Sequence, residues 1–384
     1  MFQLSRIRSV LLGACACVAS LHGQVTVHYI NVGQAASALV EFQDGAILID
    51  AGGESTSEKP SGDVYRRHLI DYLNQVFAKH PDWNKTIEAI IISHPHKDHT
   101  MFLMDVMNNF TVHTLIDNGA ECGSGIDDLK KARAFATSKQ INYLAVRDKN
   151  IHAGGLGVHL LPGESADGPQ ILLLSGGRNC LNANNDSIAV RVVTKEVSML
   201  FVGDSENEDS AAKSSCPQPQ SKCVPELSML ADKYGPAHLL KADLYHVAHH
   251  GSYNGSTEEF LKIVSPEIAV ISAGEALRAG PGSFHAWEFG HPRDKAVAPI
   301  VENTSGLRTS PTEVPIFEAA NTATSKNVSP PKKISLDKAV YCTCWDGDIK
   351  VEFFAGVKTT PKVTTDGFEP DILKQDSPKK VAKN

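Results

Sequence analysis

The chain alternates short apolar runs with longer segments whose apolar residues recur at helical spacing. In the first half this pattern predicts strands at Val25–Val32, Ala38–Phe42, Ala46–Ile49, Ala89–Ser93 and Val112–Ile116, and helices at Val64–Phe77, Met101–Met107 and Ile126–Thr137. In the second half it predicts strands at Ile188–Val193, Ser198–Val202, Leu244–Ala248 and Glu267–Ser272, and a helix at Thr257–Val264. Strands that alternate with helices are typical of a layered α/β fold.

Three segments depart from this alternation. Residues 275–288 and 303–337 are rich in Gly, Pro, Ser, Thr and Asn and are predicted to be surface insertions. Residues 370–384 carry four lysines with little apolar content, so we expect a disordered, Lys-rich tail.

The first 23 residues have the pattern of a secretory signal peptide. Arg6 and Arg8 precede an apolar core that is too short to span a bilayer as a stable helix. The segment Leu12-Gly13-Ala14-Cys15 is also similar to a bacterial lipobox, which would make Cys15 a lipidated N-terminus. We therefore predict a secreted or periplasmic protein, with a lipoprotein as the alternative and no integral membrane segment once the signal is removed.

Composition sets wide limits on the rest. The chain has 384 residues, of which 42% are hydrophobic, enough for one large domain or two small ones. Its net charge of −7 gives no overall attraction to nucleic acid or to an anionic membrane, although a local basic groove is compatible with it. No feature of the sequence allows a protein partner to be inferred.

Six cysteines follow the signal segment, and an even number in an exported chain favours disulfides. Cys216 and Cys223 flank a short loop and are the expected local pair. Cys342 and Cys344 would lie on one face of a strand, where a mutual bridge would be strained, so at least one of them is expected to reach a distant loop such as that of Cys122 or Cys180. A structural zinc site is the competing interpretation, but no C-x-x-C pair supports it.

One short motif carries most of the chemistry. Directly after the apolar run Ile90–Ile92, the loop Ser93–His99 places His94, His96, Asp98 and His99 within six residues. A strand that ends in a tight loop can turn all four side chains toward one point. Imidazole and carboxylate are ligands that suit zinc, manganese or iron. His94 and His96 can share one ion, and Asp98 and His99 can bind a second.

This spacing resembles the signature of the metallo-β-lactamase superfamily, and further motifs stand in that superfamily's order. They are Ile47–Gly53, Leu200–Asp204, Leu244–Ser252 and Gly290-His291-Pro292. The last of these, with Asn31–Gln34, is similar to the hydrolase domain of ComEC-type competence proteins and their secreted stand-alone relatives. A weaker piece, residues 339–349, resembles that family's closing hairpin.

The resemblance implies a fold and a division of the chain. It sharpens the α/β pattern to an αββα sandwich with its site along one edge of two sheets. We expect residues 24–300 to form the hydrolase domain, and residues 301–369 to add an insertion and the closing C-terminal hairpin of the same domain.

The resemblance also implies roles for residues outside the loop. Asp50 would brace the metal loop without binding a metal, Asp204 would bridge the two ions, and His291 would complete the second. Asp98 would also accept a hydrogen bond from the hydroxide. One of His249 and His250, with His249 preferred, would contact the phosphoryl oxygen or protonate the leaving group; neighbours on a strand end face opposite ways, so only one should act.

The chain departs from the family in two places. Ala35-Ala36-Ser37 stands where the competence proteins have a carboxylate, and the superfamily's separate third histidine is replaced by Asn182–Ser187.

These features together predict an exported hydrolase with two divalent transition metals, zinc first and manganese or iron as alternatives. A metal-bridging hydroxide would attack a phosphodiester, in extracellular nucleic acid first and in an envelope polymer second. A lactamase or lactonase, and a non-catalytic secreted binding protein on the same scaffold, are the competing hypotheses.

Overall fold

The computed structural model describes residues 25–54, 61–163, 168–208, 221–275, 286–318, 331–354 and 360–367. Its strands are β1 (Val25–Tyr29), β2 (Ala38–Phe42), β3 (Gly45–Ile49), β4 (Thr86–Ile91), β5 (Thr111–Asp117), β6 (Asn142–Ala145), β7 (Leu156–Val158), β8 (Gln170–Leu173), β9 (Val190–Val193), β10 (Ser198–Phe201), β11 (Leu244–His246), β12 (Ile268–Ile271), β13 (Leu307–Ile316), β14 (Lys332–Lys338), β15 (Val340–Cys342), β16 (Ile349–Phe353) and β17 (Lys362–Thr365). Its α-helices are α1 (Ser61–Phe77), α2 (Lys97–Thr100), α3 (Leu103–Asn109), α4 (Ile126–Lys139), α5 (Glu226–Tyr234), α6 (Glu258–Val264), α7 (Ala286–Phe289), α8 (Asp294–Asn303) and α9 (Thr343–Asp346). The predicted signal peptide and the Lys-rich tail lie outside the described residues.

Two large sheets dominate the described part of the chain. One has the strand order β17-β16-β1-β2-β3-β4-β5-β6, and the other has the order β15-β12-β11-β10-β9-β8-β7. Strands β3 to β6 run parallel to one another, as do β10, β11, β12 and β15. Strands β13 and β14 form a small antiparallel sheet of their own and pair with neither large sheet.

The sheets form the two middle layers of four. Apolar residues of both inner faces, among them Ile91 and Phe201, make one core between the sheets. The outer face of the first sheet packs Ile90 and its neighbours against α1, α3 and α4, and the outer face of the second packs against α5, α6 and α8. Consecutive strand residues such as Ile90 and Ile91 point to opposite faces, so a strand covered on both sides must be apolar throughout. The expected αββα sandwich is confirmed.

The carboxyl ends of the parallel strands meet along a single rim. Asp50 follows β3 and the loop from Ser93 follows β4, while Asp204 follows β10 and His249 and His250 follow β11. The topology thus gathers at this rim residues that are up to 200 positions apart in sequence.

Two expectations about the C-terminal part need correction. Residues 339–349 do not form a hairpin, because β15 pairs with β12 in one sheet and β16 pairs with β1 in the other. Among the described residues, the last antiparallel pair is β16 with β17. Part of the predicted surface insertion at 303–337 is the ordered pair β13–β14, which buries Val314 and Leu336.

The expected disulfide pairing was wrong at both places that the structure describes. Cys223 bonds to Cys180 rather than to Cys216, which lies outside the described residues, and their Cα atoms are 5.4 Å apart. The fold brings these two together although 43 positions separate them. Cys342 bonds to Cys344, with Cα atoms 5.0 Å apart. That bridge is possible because β15 ends at Cys342 and the chain turns into α9, so the two cysteines do not share one strand face.

Among the described residues, no helix combines the length and the apolar character that a bilayer crossing requires.

Candidate metal centre

The loop after β4 is held in place by its backbone. Ala36 N–H donates to the carbonyl of Asp98 at 2.9 Å, and Ala51 N–H donates to the carbonyl of His99 at 3.0 Å. Gly52 allows this close approach, since a Cβ at that position would lie 1.6 Å from the Asp98 carbonyl oxygen. Ala36, at the place where the competence proteins have a carboxylate, thus contributes through its backbone.

Asp50 lies beneath the loop and is hydrogen-bonded to two of its residues. Its carboxylate is 2% exposed and accepts three hydrogen bonds. The donors are Ser93 N–H at 2.7 Å, the Ser93 hydroxyl at 2.9 Å and His99 Nδ1–H at 2.7 Å. The third bond fixes the tautomer of His99: when the ring is neutral, its Nε2 carries a lone pair toward the rim.

Four buried side chains converge on one point: Asp98, His99, Asp204 and His250. Their ligand atoms all lie within 4.8 Å of one another. His99 Nε2 is 3.1 Å from Asp204 Oδ1, and His250 Nε2 is 3.3 Å from Asp98 Oδ2. Neither nitrogen makes a hydrogen bond within the described residues, despite these short distances. Donor atoms that face a shared point without bonding to each other are what a bound cation requires.

His94 and His96 form a second group beside the first. His94 Nε2 lies 3.0 Å from His96 Nδ1 and 3.8 Å from Asp204 Oδ2. The Ser93 hydroxyl donates to Asp50, so its oxygen accepts from His94 Nδ1–H at 3.1 Å and leaves His94 Nε2 as the ligand atom. Asp204 Oδ1 therefore faces His99, and Asp204 Oδ2 lies between the two groups, 3.8 Å from His94 Nε2 and 3.5 Å from His250 Nε2.

The electrostatics of the cluster fit the same interpretation. Burial lowers the pKa of His250, but Asp204 and Asp98 outweigh it and raise that pKa to about 10. The pKa of His99 is likewise raised well above its ordinary value, against the effect of burial, by Asp204 and Asp50. The buried carboxylates thus keep the His99 and His250 rings protonated in the absence of a metal. A divalent cation can replace those protons.

His249 and His250 occupy a tight turn rather than a strand end. Strand β11 stops at His246, and both histidines have left-handed backbone angles, with φ of 51° and 53°. Their rings lie 6.3 Å apart, and both reach Asp204, at 3.9 Å and 3.5 Å. The expectation that neighbours here face opposite ways was wrong, because the alternation of a strand has already ended.

His250 is oriented by the backbone of the next strand. Its Nδ1–H donates to the carbonyl of Ser272 at 2.7 Å, which leaves Nε2 as the atom that faces Asp98 and Asp204. A ring with one nitrogen bonded to a carbonyl and the other free is the usual state of a metal-binding histidine.

His249 belongs to a polar network that the sequence interpretation missed. Its Nδ1 lies 3.3 Å from Glu206 Oε1, and its side chain is 19% exposed whereas that of His250 is 3% exposed. Asn182 and Asn184 donate to the two oxygens of Glu206 at 2.8 Å and 2.6 Å. The segment that replaces the superfamily's third histidine therefore supports His249. The position of Glu206, two residues after Asp204, was the available signal.

The structure places His291 near the cluster but outside it. Its ring centroid is 5.5 Å from that of His249 and 6.2 Å from that of His250. Gln34 approaches His291 Nδ1 with its amide nitrogen at 3.1 Å, and Gly274 N–H donates to the Gln34 oxygen at 3.1 Å. The backbone bond fixes which way the amide points, so Gln34 donates and His291 Nδ1 accepts. A neutral His291 then carries its proton on Nε2.

Comparison with known proteins fits this geometry. The model of the metallo-beta-lactamase superfamily matches residues 30–275. The chain belongs to this superfamily.

The chain is similar to ComE operon protein 3 of Bacillus subtilis (strain 168), with 26% identity over 273 residues. The match covers 67% of this chain and 29% of that protein, so the chain spans less than a third of the relative's length. The resemblance predicted from the motif order is confirmed by these matches.

Similar solved structures include YhfI, a metallo-beta-lactamase fold protein from Bacillus subtilis. It is 13% identical, with a TM-score of 0.41, and the match covers 74% of this chain and 94% of that one. A diphosphatase of the PhnP family is also 13% identical, with a TM-score of 0.34 and coverage of 64% and 85%.

A second group of potential ligands, Cys180, Asp186 and Cys223, does not make a metal site. Its two sulfurs are already joined in a disulfide, and a metal would need them as free thiolates.

Proposed function

We propose that the protein is an exported two-metal phosphodiesterase that cleaves nucleic acid. One observation carries the proposal: the His94–His96 pair and the cluster of Asp98, His99 and His250 lie side by side, with Asp204 between them. A carboxylate that serves two adjacent ligand groups is the arrangement needed for a two-metal hydrolytic site.

The metal ligands in this proposal differ in one respect from those inferred by resemblance. We assign His250 to the second ion in place of His291, because His250 Nε2 faces Asp98 and Asp204 whereas His291 lies outside their group. Asp98 serves as a ligand in the same group. Zinc is the metal we propose, since imidazole and carboxylate suit it; manganese and iron accept the same donors. When bound by these residues, two such ions would supply a hydroxide nucleophile at neutral pH and would neutralise charge on the phosphate.

His291 acts in this scheme as a hydrogen-bond donor to the substrate. Gln34 occupies its Nδ1, so Nε2–H is the group that the ring can present. Burial and the neighbouring rings of His249 and His250 hold the pKa of His291 well below its usual value, which keeps the ring neutral. A neutral donor beside two cations can bind a phosphoryl oxygen without adding to their mutual repulsion.

His249 is the residue that we assign to the leaving group. It is the partly exposed imidazole of the turn, and it lies opposite the metal loop, next to Asp204. The Glu206 carboxylate lies 3.3 Å from its Nδ1 without a hydrogen bond among the described residues, and Nε2 lies 3.9 Å from Asp204 Oδ2 on the side of the site. Protonation of the departing alkoxide by an imidazole contributes about 10²–10⁴-fold to the rate.

The choice of a phosphodiester over a lactam follows from this set of donors. His249 and His291 would add imidazole N–H donors beside the metal ligands, which suits a tetrahedral anion with several oxygens. The match to ComE operon protein 3 supports the same branch of the superfamily, although it covers only part of that protein. Export is supported by the disulfides Cys180–Cys223 and Cys342–Cys344, since such bonds persist in oxidising compartments.

The proposal is tested by measuring turnover of bis-(p-nitrophenyl) phosphate, single-stranded DNA and nitrocefin side by side with metal-loaded protein. We expect hydrolysis of both phosphodiesters and none of nitrocefin. Turnover of nitrocefin alone would assign the protein to the lactamases. Absence of any turnover in protein that carries its full metal complement would support the non-catalytic binding protein.

A further inference from the structure

A second charged cleft lies beside the metal centre and has no part in the function proposed so far. It has a volume of about 520 Å³ and is lined by Arg147, Asp148, Lys149, Gly177, Arg178 and Asn179. Three cationic side chains thus surround it with one carboxylate, in a chain whose overall net charge is −7. The cleft is locally basic, and an anion is the class of ligand that it suits.

The cleft lies where the rims of the two large sheets meet. Arg147 follows β6 of the first sheet, and Gly177 and Arg178 follow β8 of the second. The two segments pair as a parallel bridge between Arg147 and Gly177. Gly177 N–H donates to the Val146 carbonyl at 2.9 Å, and Asp148 N–H donates to the Gly177 carbonyl at 3.3 Å. Backbone hydrogen bonds therefore define the floor of the cleft.

The cleft is on the same rim as the metal centre. Strand β6 is two strands from β4, which carries the metal loop, and β8 is two strands from β10, which carries Asp204. All four strands point their carboxyl ends to this rim. At a strand spacing of about 4.8 Å, both sheets place the cleft about 10 Å from the metal centre. Stacked nucleotides rise about 3.4 Å each along one strand, so this distance corresponds to about three nucleotides.

The two arginines donate to neutral oxygens and make no direct ion pair among the described residues, although both lie close enough to the buried Asp186 to lower its pKa. Arg147 donates from Nη1 to Asn179 Oδ1 at 3.0 Å and from Nη2 to the Gly119 carbonyl. Arg178 donates to the carbonyls of Val224 and Asn185, at 2.9 Å and 2.5 Å. Its Nε is buried and makes no hydrogen bond within the described residues.

A structural arginine of the same rim looks different. Arg133 donates to both oxygens of Asp117, at 2.8 Å and 2.9 Å, so its charge is balanced by that carboxylate. Beside the cleft, the buried Asp186 accepts the backbone N–H groups of Arg178 and Cys180 instead of a guanidinium, and burial raises its pKa to about 6. The guanidinium groups of the cleft are therefore fixed in position, and no carboxylate among the described residues pairs with them directly.

We propose that Arg147, Lys149 and Arg178 form a subsite that binds a backbone phosphate of a nucleic-acid strand, about three nucleotides from the bond that is cleaved. The identity of the polymer rests on the proposed function, whereas the anion site rests on the cleft itself. Such a subsite would explain how a protein with a negative net charge can bind a polyanion. The basic cleft would attract the phosphate backbone locally, on the same rim as the metal centre.

The subsite is tested by binding rather than by turnover. The mature, metal-loaded protein is titrated with a fluorescein-labelled single-stranded oligonucleotide whose phosphorothioate linkages resist cleavage, and anisotropy is followed over a series of salt concentrations. The variants are Lys149→Gln, which alters an exposed side chain without a hydrogen bond in the described structure, and Arg178→Gln. The control is Lys262→Gln, another exposed lysine, which pairs with Glu258 near the end of α6, at the opposite rim.

We expect each cleft variant to weaken oligonucleotide binding about three- to tenfold and to lower the slope of log K against log salt by about 0.7 for each phosphate interaction that the substitution removes. The ratio of kcat/KM for an oligonucleotide to kcat/KM for bis-(p-nitrophenyl) phosphate should fall by a similar factor, and Lys262→Gln should change neither quantity.

The subsite is refuted if both cleft variants bind within twofold of wild type with an unchanged salt slope. It is also refuted, as a nucleic-acid site, if the protein binds poly(glycerol phosphate) but not the oligonucleotide. If wild type shows the expected binding and slope yet hydrolyses no phosphodiester, the proposed function fails and the anion site stands.

Discussion

Replacing Asp50 with asparagine should weaken metal binding although Asp50 is not a ligand. Its carboxylate accepts from Ser93 N–H on one oxygen, and from the Ser93 hydroxyl and His99 Nδ1–H on the other. Asparagine keeps the shape but supplies one oxygen and one NH2 group. In either orientation of the asparagine side chain, its NH2 group therefore faces another hydrogen-bond donor at a buried position.

The two orientations have different consequences, and both harm the site. If the amide nitrogen faces Ser93 N–H, the loop backbone loses a charge-assisted bond worth about 1.5–3 kcal/mol of folding stability. If it faces His99, that ring must accept at Nδ1 and carry its proton on Nε2, the atom that faces Asp204 at 3.1 Å. Removing such a supporting interaction lowers metal affinity about 10–100-fold, or about 1.4–2.7 kcal/mol.

The assay is competition with a chromophoric chelator at neutral pH, with urea unfolding of the metal-free protein alongside. Asp117→Asn is the matched control: that carboxylate is also buried, belongs to the last residue of β5 on the same rim, and accepts from Gly119 N–H and Arg133. The control should lose stability but retain metal affinity. Affinity of the Asp50 variant within twofold of wild type, or an equal loss in the control, would refute the reasoning.

Three further measurements test the proton positions, the leaving group and the disulfides. The pKa of His250 is raised to about 10, so its proton stabilises the folded, metal-free protein in full below the unfolded pKa of about 6.5. This stabilisation is lost as pH rises through about 10. Urea unfolding should show the loss, and His250→Ala should flatten the dependence of unfolding free energy on pH. His249→Ala should cut turnover of an alkyl phosphodiester about 10²–10⁴-fold and that of a p-nitrophenyl diester less, at unchanged metal content; equal losses with a missing ion would make His249 a ligand. Thiol titration of denatured, unreduced protein should leave the four cysteines of the two disulfides unreacted, and reaction of all four would contradict the oxidised state.

Much of the site could be predicted because it is local in sequence. The spacing of His94, His96, Asp98 and His99 after an apolar strand needs no knowledge of distant residues. Asp50 and Asp204 are distant in sequence and were inferred from the order of motifs that resembles the superfamily; the structure places both after parallel strands whose carboxyl ends share one rim.

The division of roles among the remaining histidines could not be predicted in this way. Whether His250 or His291 joins the cluster depends on a left-handed turn at the end of β11 and on Gln34, which lies 257 positions from His291. The support of His249 by Glu206 depends on Asn182 and Asn184, which reach it from another loop. The disulfides show the same limit, because Cys180 and Cys223 are 43 positions apart and only the tertiary structure brings them together.

Metal analysis of the purified full-length protein, loaded with zinc or manganese and then freed of excess ion, tests the central claim most directly. The account predicts two ions per chain in wild type and in His291→Ala, and loss of most of the second ion in Asp204→Ala and His250→Ala. An absence of bound metal after loading would contradict the two-metal site. Two retained ions in His250→Ala together with a missing ion in His291→Ala would show that the ligand assignment is reversed.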